Sequence, residues 1–260
     1  MKKILLIPSL GLLLLNLRLN MKNTGAPFWQ IVLLAAFACL LAEGTASAQN
    51  FSARLILGMN GSQIDGDGMS GYYKPGLAAG AGVRFPLSER LSLGPEIMYS
   101  MKGSKTSFDE IEKLGAPRVI YRLNYLDFPL VADYFFSRKG QVEAGICYSR
   151  FLNARLDNGS NLGFVDISGL FRNSDTQFLI GLKYELFDRI WFSGRFLYSL
   201  RSVNGIGLNN PAFQLLGSPS RGGFFNNFLQ FTLSAHLFGT PPGPGPAASG
   251  NTAPVIQTQP

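Results

Sequence analysis

The sequence predicts an all-β fold: an eight-stranded antiparallel up-and-down transmembrane β-barrel over residues 49–238, with a leader and signal peptide at 1–48 and a tail at 239–260. Three observations predict it. Apolar residues recur with a period of two, the opposite faces carry small residues and balanced charges, and short links alternate with long ones. The composition is 46% hydrophobic, 12% aromatic and 15% charged, which excludes disordered, collagen-like and disulfide-rich chains.

The leader has the features of an export signal. Met21 opens a charged segment, the apolar run 31–42 follows, and Ala46-Ser47-Ala48 matches the A-x-A pattern of a cleavage site. The apolar run is shorter than the roughly twenty residues that a membrane-spanning helix needs, so we predict cleavage after Ala48. The leucine-rich stretch 4–17 is either a long leader or precedes the true start at Met21, and the second interpretation is favoured.

Charge and cysteine content restrict the class of protein further. The formal net charge of +7 falls to about +4 without residues 1–48, and no segment gathers Lys and Arg into one cluster, so nucleic acid is not an expected partner. Cys39 lies in the leader and follows the bulky Phe37 by two positions, which argues against lipidation. Cys147 is then the only cysteine of the mature chain, and we expect it to fill space inside the protein.

Along the mature chain, apolar residues alternate with small or polar ones in eight segments. These segments are residues 51–60, 77–85, 91–102, 126–134, 142–149, 177–186, 190–201 and 229–237. In the first of them, Leu55, Leu57 and Met59 share one face, and Arg54 and Asn60 lie on the other. Alternation of this kind is typical of β-strands. Water-soluble sandwiches and barrels show it too, so the second face must distinguish them from a membrane barrel.

The second face carries mostly Gly, Ser and Ala between single charges of nearly balanced sign. The residues that we predict to form a structural charge network in the lumen are Arg54, Arg84, Glu96, Asp127, Asp133, Glu143, Lys183, Glu185, Arg195 and His236. Lys102 and Arg201 lie on the same face. A soluble barrel would instead present scattered Lys, Glu, Thr and Asn to water. The apolar faces carry no charge, as lipid contact requires, because a charge there costs about 2–4 kcal/mol at the membrane midplane.

The links between the segments alternate in length. Short links lie at 86–90, 135–140 and 187–189, whereas the other links have about 14 to 27 residues. Outer-membrane barrels have tight periplasmic turns and longer outer loops, so the short links are expected to be periplasmic. The aromatic residues expected to form a girdle at that end are Phe85, Tyr134, Phe135, Phe136, Phe187, Trp191 and Phe238. Eight strands leave room only for side chains, so an open pore is disfavoured.

Six short segments carry a family resemblance. They are Lys74-Pro75-Gly76-Leu77, Phe85-Pro86-Leu87-Ser88, residues 93–100, residues 124–130, Glu143-Ala144-Gly145 and residues 180–185. Over about residues 50 to 238 the chain resembles the PorT-like family of small outer-membrane β-barrels, which is abundant in Bacteroidetes. The resemblance implies an integral outer-membrane protein, and the family's namesake is linked to protein secretion. It implies no catalytic or binding residue.

The end of the chain departs from a standard barrel end, in which the last strand closes on a terminal aromatic residue. Here Phe238 is followed by a segment that is rich in Pro and Gly and has no charged side chain. We predict that this tail, residues 239–260, is a disordered periplasmic extension.

Features of the long links allow more than one interpretation. Asp65-Gly66-Asp67-Gly68 resembles part of a calcium site, but Ca²⁺ takes about six to eight oxygens, so a plain turn is favoured. Residues 108–114 have the spacing of one or two amphipathic helical turns. Apolar residues in the last three long links, at 108–114, 164–171, 215–216 and 224–225, either form a partner surface or pack over the barrel mouth.

No catalytic, cofactor-binding or metal-binding residue is predicted. His236 is the only histidine, with Ser234 one inward position away, and an interior histidine is favoured over a catalytic base. Its candidate ion-pair partners are Glu96, Asp127 and Glu143. We expect an integral outer-membrane protein with a structural or protein-interaction role, linked by the resemblance to secretion or envelope maintenance.

Two alternatives remain, a narrow channel first and a lipid-modifying enzyme second. The expected partners are outer-membrane lipid and an envelope or secretion-system protein, reached through the outer loops or the tail.

Overall fold

The structure is a computed structural model that describes residues 51–159, 163–205 and 223–238. The predicted leader with its cleavage site, Cys39, residues 215–216 and the tail 239–260 lie outside the described residues. Predictions about those segments therefore stay predictions.

Within the described ranges, the chain forms nine strands, one α-helix and one short 3₁₀ helix. The strands are β1 (Ser52–Asp65), β2 (Lys74–Pro86), β3 (Leu91–Lys105), β4 (Ile120–Phe135), β5 (Gly140–Asp157), β6 (Val165–Asp166), β7 (Ser174–Phe187), β8 (Ile190–Ser199) and β9 (Phe225–Phe238). Helix α1 (Phe108–Leu114) follows β3, and the 3₁₀ helix Ser168–Leu170 follows β6. No helix in the described ranges combines the length and the hydropathy needed to cross a membrane.

Eight of these strands close into an antiparallel barrel. Each pairs with its neighbours along the chain, β5 pairs with β7 past the two-residue β6, and β9 returns to pair with β1. The seam between β1 and β9 runs from Ala53, opposite Phe238, to Asp65, opposite Phe225. Closure matters because an unpaired backbone N–H or C=O in hydrocarbon costs several kcal/mol. The predicted eight-stranded up-and-down barrel is confirmed.

The barrel has an apolar outer wall and a mostly polar lumen, because side chains alternate along each strand. On β1, Leu55, Leu57 and Met59 are each more than half exposed on the outer wall, at 53%, 61% and 60%. Arg54 and Asn60 face the lumen and are buried. In a soluble β-barrel the two faces would carry the opposite polarity.

Short turns join the strands at one end of the barrel, the short-turn end, and longer loops join them at the other, the loop end. The turns are residues 87–90, 136–139 and 188–189. In the last of these, Arg189 has a φ of 65°, the left-handed conformation that tight hairpin turns use. The alternation of short and long links follows the sequence prediction.

Several strands extend beyond the predicted segments at the loop end. β5, predicted over 142–149, covers Gly140–Asp157. In the added part the pattern inverts, because Arg155 is exposed on the outer wall and Leu156 is buried in the lumen. A barrel that has left the membrane is surrounded by water and needs this inverted pattern. Segments predicted from apolar outward residues therefore end where the strand leaves the membrane, and are shorter than the strands themselves.

The helical turns predicted in the second long loop form helix α1. The Ser107 hydroxyl accepts a hydrogen bond from the Glu110 N–H at 3.1 Å, and the Glu110 carboxylate accepts one from the Ser107 N–H at 2.7 Å. This reciprocal capping box fixes the start of the helix. Gly115, with a φ of 63°, ends it.

The predicted aromatic girdle at the short-turn end is wrong for two of its members. Phe135 and Trp191 are buried in the lumen, each 2% exposed, and their ring centroids lie 6.3 Å apart. Phe135 directly follows the outward Tyr134, so the alternation turns it inwards. The remaining members are exposed: Phe85, Tyr134, Phe136, Phe187 and Phe238.

Candidate functional site in the barrel lumen

A network of buried ion pairs fills the lumen towards the short-turn end, with Glu96 at its centre. Glu96 Oε1 lies 2.5 Å from Arg54 Nη2 and 2.6 Å from Arg84 Nη2. Glu96 Oε2 lies 2.7 Å from Arg195 Nη1. All four residues are buried. One carboxylate thus joins arginines from β1, β2 and β8 and connects strands that are not neighbours in the barrel.

Two further carboxylates extend this network. Glu143 accepts hydrogen bonds from Arg195 Nε and Nη2, both at 2.9 Å, and from the Ser193 hydroxyl. Asp133 Oδ2 lies 2.5 Å from Arg84 Nε. Asp133 and Glu143 are directly opposite each other on β4 and β5, where like charges repel. The two arginines offset that repulsion.

Glycines provide the space that these long side chains occupy. Gly82 is opposite Glu96, and Gly181 is opposite Arg195. A Cβ at Gly82 would lie 2.8 Å from Glu96 Cγ, and a Cβ at Gly181 would lie 3.0 Å from Arg195 Cγ. The small residues of the inward face are therefore the positions across which charged side chains of adjacent strands extend.

Lys183, Trp191 and His236 lie together nearest the short-turn end. Lys183 Nζ is 5.2 Å from the centroid of the Trp191 ring, and the His236 ring centroid is 6.5 Å from the same indole. All three are buried. His236 forms no ion pair with any residue that the structure describes. Cations elsewhere in the lumen bind its three candidate partners, Glu96, Asp127 and Glu143.

A second polar layer lies nearer the loop end, around Lys102 and Asp175. Lys102 Nζ is 2.9 Å from Asp127 Oδ1 and 4.6 Å from the centroid of the Phe228 ring. Asp175 Oδ2 accepts hydrogen bonds from three buried side chains, those of Gln177, Ser199 and Asn226. Asp175 is not among the predicted lumen residues because the predicted sixth segment begins at Gln177. Alternation extended by one step would have placed Asp175 in the lumen.

The buried charges of the barrel strands balance in sign, apart from Lys74 at the rim of the loop end. In the described strands, five are cations and five are carboxylates: Arg54, Arg84, Lys102, Lys183 and Arg195, with Glu96, Asp127, Asp133, Glu143 and Asp175. Buried charges persist only when opposite charges and hydrogen bonds surround them. The balance is therefore a condition for a stable polar lumen.

Apolar side chains separate the two polar layers. On β8, for example, Leu197 lies between Arg195 of the ion-pair network and Ser199 of the second polar layer. The residues packed together at this level are Val131, Cys147, Leu179, Leu197 and Phe228. Cys147 is fully buried with a free thiol.

A larger apolar cluster, which we call the outer plug, fills the lumen at the loop end. Its members are Ile64, Tyr121, Leu123, Tyr125, Phe151, Ala154, Leu156, Phe171, Val203 and Phe224. Three of them, Phe171, Val203 and Phe224, come from the long loops, and the Phe171 and Phe224 rings stack with their centroids 6.4 Å apart. Phe171 also stacks on Phe151 of β5 at 5.9 Å. These loop residues pack over the barrel mouth, one of the two interpretations that the sequence left open.

Arg201, expected to face the lumen, lies outside it. Arg201 follows the end of β8 at Ser199, is exposed, and donates a hydrogen bond to the Ser174 hydroxyl at 3.2 Å. Glu185 is half-buried opposite the lumen-facing Trp191, just before the pairing of β7 with β8 shifts register, and it forms no ion pair with the described residues. The end of β8 interrupts the alternation on which the Arg201 prediction relied.

The first long loop forms a turn whose two aspartates have separate roles. Asp67 is buried and accepts a hydrogen bond from the Met69 N–H at 2.9 Å. The Asp65 carboxylate accepts hydrogen bonds from Asn227 at 3.2 and 3.3 Å. Burial, together with the nearby charges of Asp65 and Glu110, raises the pKa of Asp67 to about 6. In the described part of the chain, no group of three or more His, Cys, Asp or Glu side chains is placed to hold a metal ion.

A closed antiparallel barrel with an apolar outer wall and an ion-paired lumen defines an integral membrane β-barrel. The chain belongs to the outer membrane protein beta-barrel domain family, which matches residues 47–205. It is therefore an outer-membrane β-barrel protein. No curated protein matches the chain in sequence.

Solved barrels of low sequence identity resemble the chain. Neisserial surface protein A is 10% identical, with a TM-score of 0.42 over 74% of this chain and 100% of that chain. Ail of Yersinia pestis, solved in complex with the heparin analogue sucrose octasulfate, is 11% identical, with a TM-score of 0.40 over 73% and 99%. The N-terminal β-barrel domain of Pseudomonas aeruginosa OprF is 12% identical, with a TM-score of 0.31 over 72% and 98%.

Proposed function

We propose that this protein is a sealed outer-membrane barrel with a structural or protein-interaction role, performed from its outer loops or its tail. The observation that carries the proposal is the filled lumen. From the short-turn end to the loop end it holds the ion-pair network around Glu96, the apolar residues around Leu197, the second polar layer and the outer plug. A lumen that is filled along its length favours a structural or interaction role over a channel. The export signal cleaved after Ala48 belongs to the same proposal.

Helix α1 supports an interaction role at the loop end. Phe108 and Leu114 are 74% and 78% exposed, and the helix buries none of its residues. Exposed apolar side chains on a helix whose other residues are mostly charged are typical of a surface that contacts a partner. The PorT-like resemblance supports an envelope or secretion-system protein as that partner.

The sealed lumen is tested by single-channel conductance. The purified protein, shown to be folded by its gel mobility before boiling, is inserted into a planar lipid bilayer beside a porin as positive control. We expect no stepwise current, because charged side chains bound to each other leave no hydrated path. Discrete conductance steps from the folded protein would support the alternative function, a narrow channel.

The interaction role is tested by crosslinking in intact cells. A photoreactive residue at Phe108 or Leu114 should capture one reproducible protein, whereas the same residue at the lipid-facing Leu130 serves as control. Recovery of the same products from all three positions, or of lipid alone, would contradict the proposal.

The enzyme alternative depends on His236. This histidine is buried beside Trp191 and has no carboxylate partner among the described residues, which supports a non-enzymatic role. Lipid A from cells that carry the wild-type protein should have the same mass as lipid A from cells with His236→Ala. A mass difference would support lipid modification.

A further inference from the structure

A group of cations lies on the outer wall of the barrel at the loop end, on three adjacent strands. Lys105 is on β3, Arg122 is on β4, and Arg150 and Arg155 are on β5. The three arginines are exposed and Lys105 is half-buried. We call these four residues the basic patch. It was not apparent in the sequence because its members are distributed over 51 positions and meet only when β3, β4 and β5 pair.

The pairing of these strands brings like charges together. Arg122 is directly opposite Arg155, and Lys105 is on the next strand, two positions beyond the partner of Arg122. The positive charges of Arg122 and Lys105 also repel that of Lys74 on the rim. Like charges placed opposite each other in a sheet are destabilising.

No ion pair among the described residues offsets this repulsion, since none of the four patch residues forms one. Asp166 is opposite Arg155 on β6 and its charge acts on that guanidinium, but its carboxylate accepts a hydrogen bond from the Ser168 N–H at 2.7 Å. Arg122 stacks on the Phe164 ring at 3.9 Å, which holds the guanidinium in place and leaves its edge free to donate. The patch is thus a set of cationic donors that form no ion pair in the described ranges.

The height of Arg122, and of Arg155 opposite it, matches the membrane surface. Arg122 is twelve residues from Tyr134 along β4, which at about 3.3 Å per residue and a tilt of about 40° is roughly 30 Å. An outer-membrane apolar band is about 25 Å tall. The side chains between them on the outer wall are apolar up to Leu126. Arg122 therefore lies just above the hydrocarbon of the leaflet at the loop end.

The positive charge at the loop end is uneven around the barrel. On β1, the outward residues at this end are Gln63 and Asp65, which are not cationic. Beyond the patch, towards β7 and β8, Arg172 and Arg201 are further exposed cations. The positive charge therefore covers an arc from β3 towards β8 and leaves the β1 side without it.

We propose that the basic patch binds phosphate groups of lipids in the outer leaflet of the outer membrane. Guanidinium groups donate paired hydrogen bonds to phosphate oxygens, and a phosphate between Arg122 and Arg155 would remove their repulsion. The site goes beyond the role proposed above, since it lies on the outer wall and involves neither the lumen nor helix α1. It requires only the membrane orientation in which the long loops face outwards.

The experiment measures lipopolysaccharide binding to the purified full chain in detergent. The patch variant is Arg122→Gln/Arg155→Gln, and its control is Arg138→Gln/Lys139→Gln, which removes the same charge from the turn between β4 and β5. The probes are lipopolysaccharide, the same lipid after enzymatic removal of its phosphates, and inorganic phosphate as competitor. Unchanged gel mobility before boiling shows that each variant is folded, and the single substitutions replace the double variant if it is not.

We expect the patch variant to bind intact lipopolysaccharide about a hundredfold more weakly than the wild type, since it loses two charge-assisted bonds that each have a strength near that of one factor of ten. The control variant should bind as the wild type does, and dephosphorylated lipid should bind the wild type about as weakly as intact lipid binds the patch variant. Equal weakening of lipopolysaccharide binding in both variants would show that only the net charge of the protein matters, and this would overturn the proposal. Full displacement by inorganic phosphate at the lipid's own concentration would overturn the lipid as the source of the phosphate.

Discussion

Three arginine side chains converge on Glu96 inside the barrel. Glu96→Gln keeps the shape of this side chain but removes its charge, so buried cations lose their shared partner. Breaking a buried ion pair from one side costs about 3–5 kcal/mol. We expect a loss of that size in the free energy of unfolding, measured by urea titration of the protein in lipid vesicles.

Glu185→Gln is the matched control for this substitution. It makes the same chemical change at a half-buried glutamate that has no ion pair among the described residues. The control should change the free energy of unfolding by no more than about 0.5 kcal/mol. Equal effects of the two substitutions would show that the Glu96 ion pairs do not stabilise the lumen.

Asp67 gives the first outer loop a dependence on pH. Its pKa is about 6 in the folded loop, against an ordinary value of 3.8. Because the folded pKa is the higher one, the stabilising contribution is complete below about pH 4 and is lost as the pH rises through 6. We expect proteolysis within residues 66–73 to be faster at pH 7.5 than at pH 4.5.

The measurement compares Asp67→Asn with the wild type at each pH, which cancels the pH dependence of the protease. Asparagine cannot ionise, so the variant should lack the additional protection at pH 4.5 that the wild type owes to its protonated carboxyl. A wild-type to variant ratio that is constant from pH 4.5 to 7.5 would contradict the assignment.

Alternation in the sequence identifies which charged residues face the lumen, but not which of them meet. Arg54 and Glu143 are inward because their neighbours on both sides are outward. The contact between Arg195 and Glu96 spans 99 positions of sequence. It depends on the stagger of strands that are not adjacent, which a single-strand pattern does not contain. The positions were therefore predictable from the sequence, whereas the partners were not.

At the scale of the strand, one strand passes through two environments, the lipid of the membrane and the water beyond it. Towards the short-turn end, β4 has apolar residues such as Leu130 on its outer wall. Towards the loop end, it has Arg122 on the outer wall and Leu123 in the lumen. The sequence prediction used one polarity for the whole strand, so it recognised the part in lipid and missed the part in water. The same inversion hid the outer plug, whose inward residues look like ordinary loop hydrophobics in the sequence.

The outer plug should contribute to stability as a soluble core does. Phe151 lies between Tyr125 and Phe171, with ring centroids at 5.5 and 5.9 Å. Removal of a buried phenylalanine side chain costs about 3–5 kcal/mol. We expect Phe151→Ala to lower the free energy of unfolding by that amount in the urea titration.

Phe108→Ala is the control for the plug, since Phe108 is 74% exposed to water on helix α1. It should change the free energy of unfolding by less than about 0.5 kcal/mol. A comparable loss in both variants would mean that the plug is not a packed core.

At the scale of the whole molecule, the seam between β1 and β9 determines whether the barrel is closed. A Cβ at Gly58 on β1 would lie 2.0 Å from the Phe231 carbonyl oxygen of β9. A Cβ at Gly194 on β8 would make only an ordinary contact, 3.7 Å from the Phe231 ring. Closed barrels resist SDS until heated. We therefore expect the wild type and Gly194→Ala to change gel mobility on boiling.

Gly58→Ala should lose this mobility shift, or show it at a lower temperature, because the two strands must separate to accommodate the methyl group. The readout is the fraction of compact protein in the outer-membrane fraction after heating in steps. An unchanged melting temperature for Gly58→Ala would contradict the close approach of the two strands.

The same seam constrains the time at which the protein can fold. Leu57 near the start of the barrel is opposite Leu233 near its end, so a chain that lacks its last strand has two open edges. Hydrocarbon accepts neither edge. Such long-range pairing is slow to form, since loop-closure entropy must be overcome before the contacts stabilise it. The barrel is therefore stable in the membrane only once β9 is present, so its assembly there must follow the synthesis of all its strands.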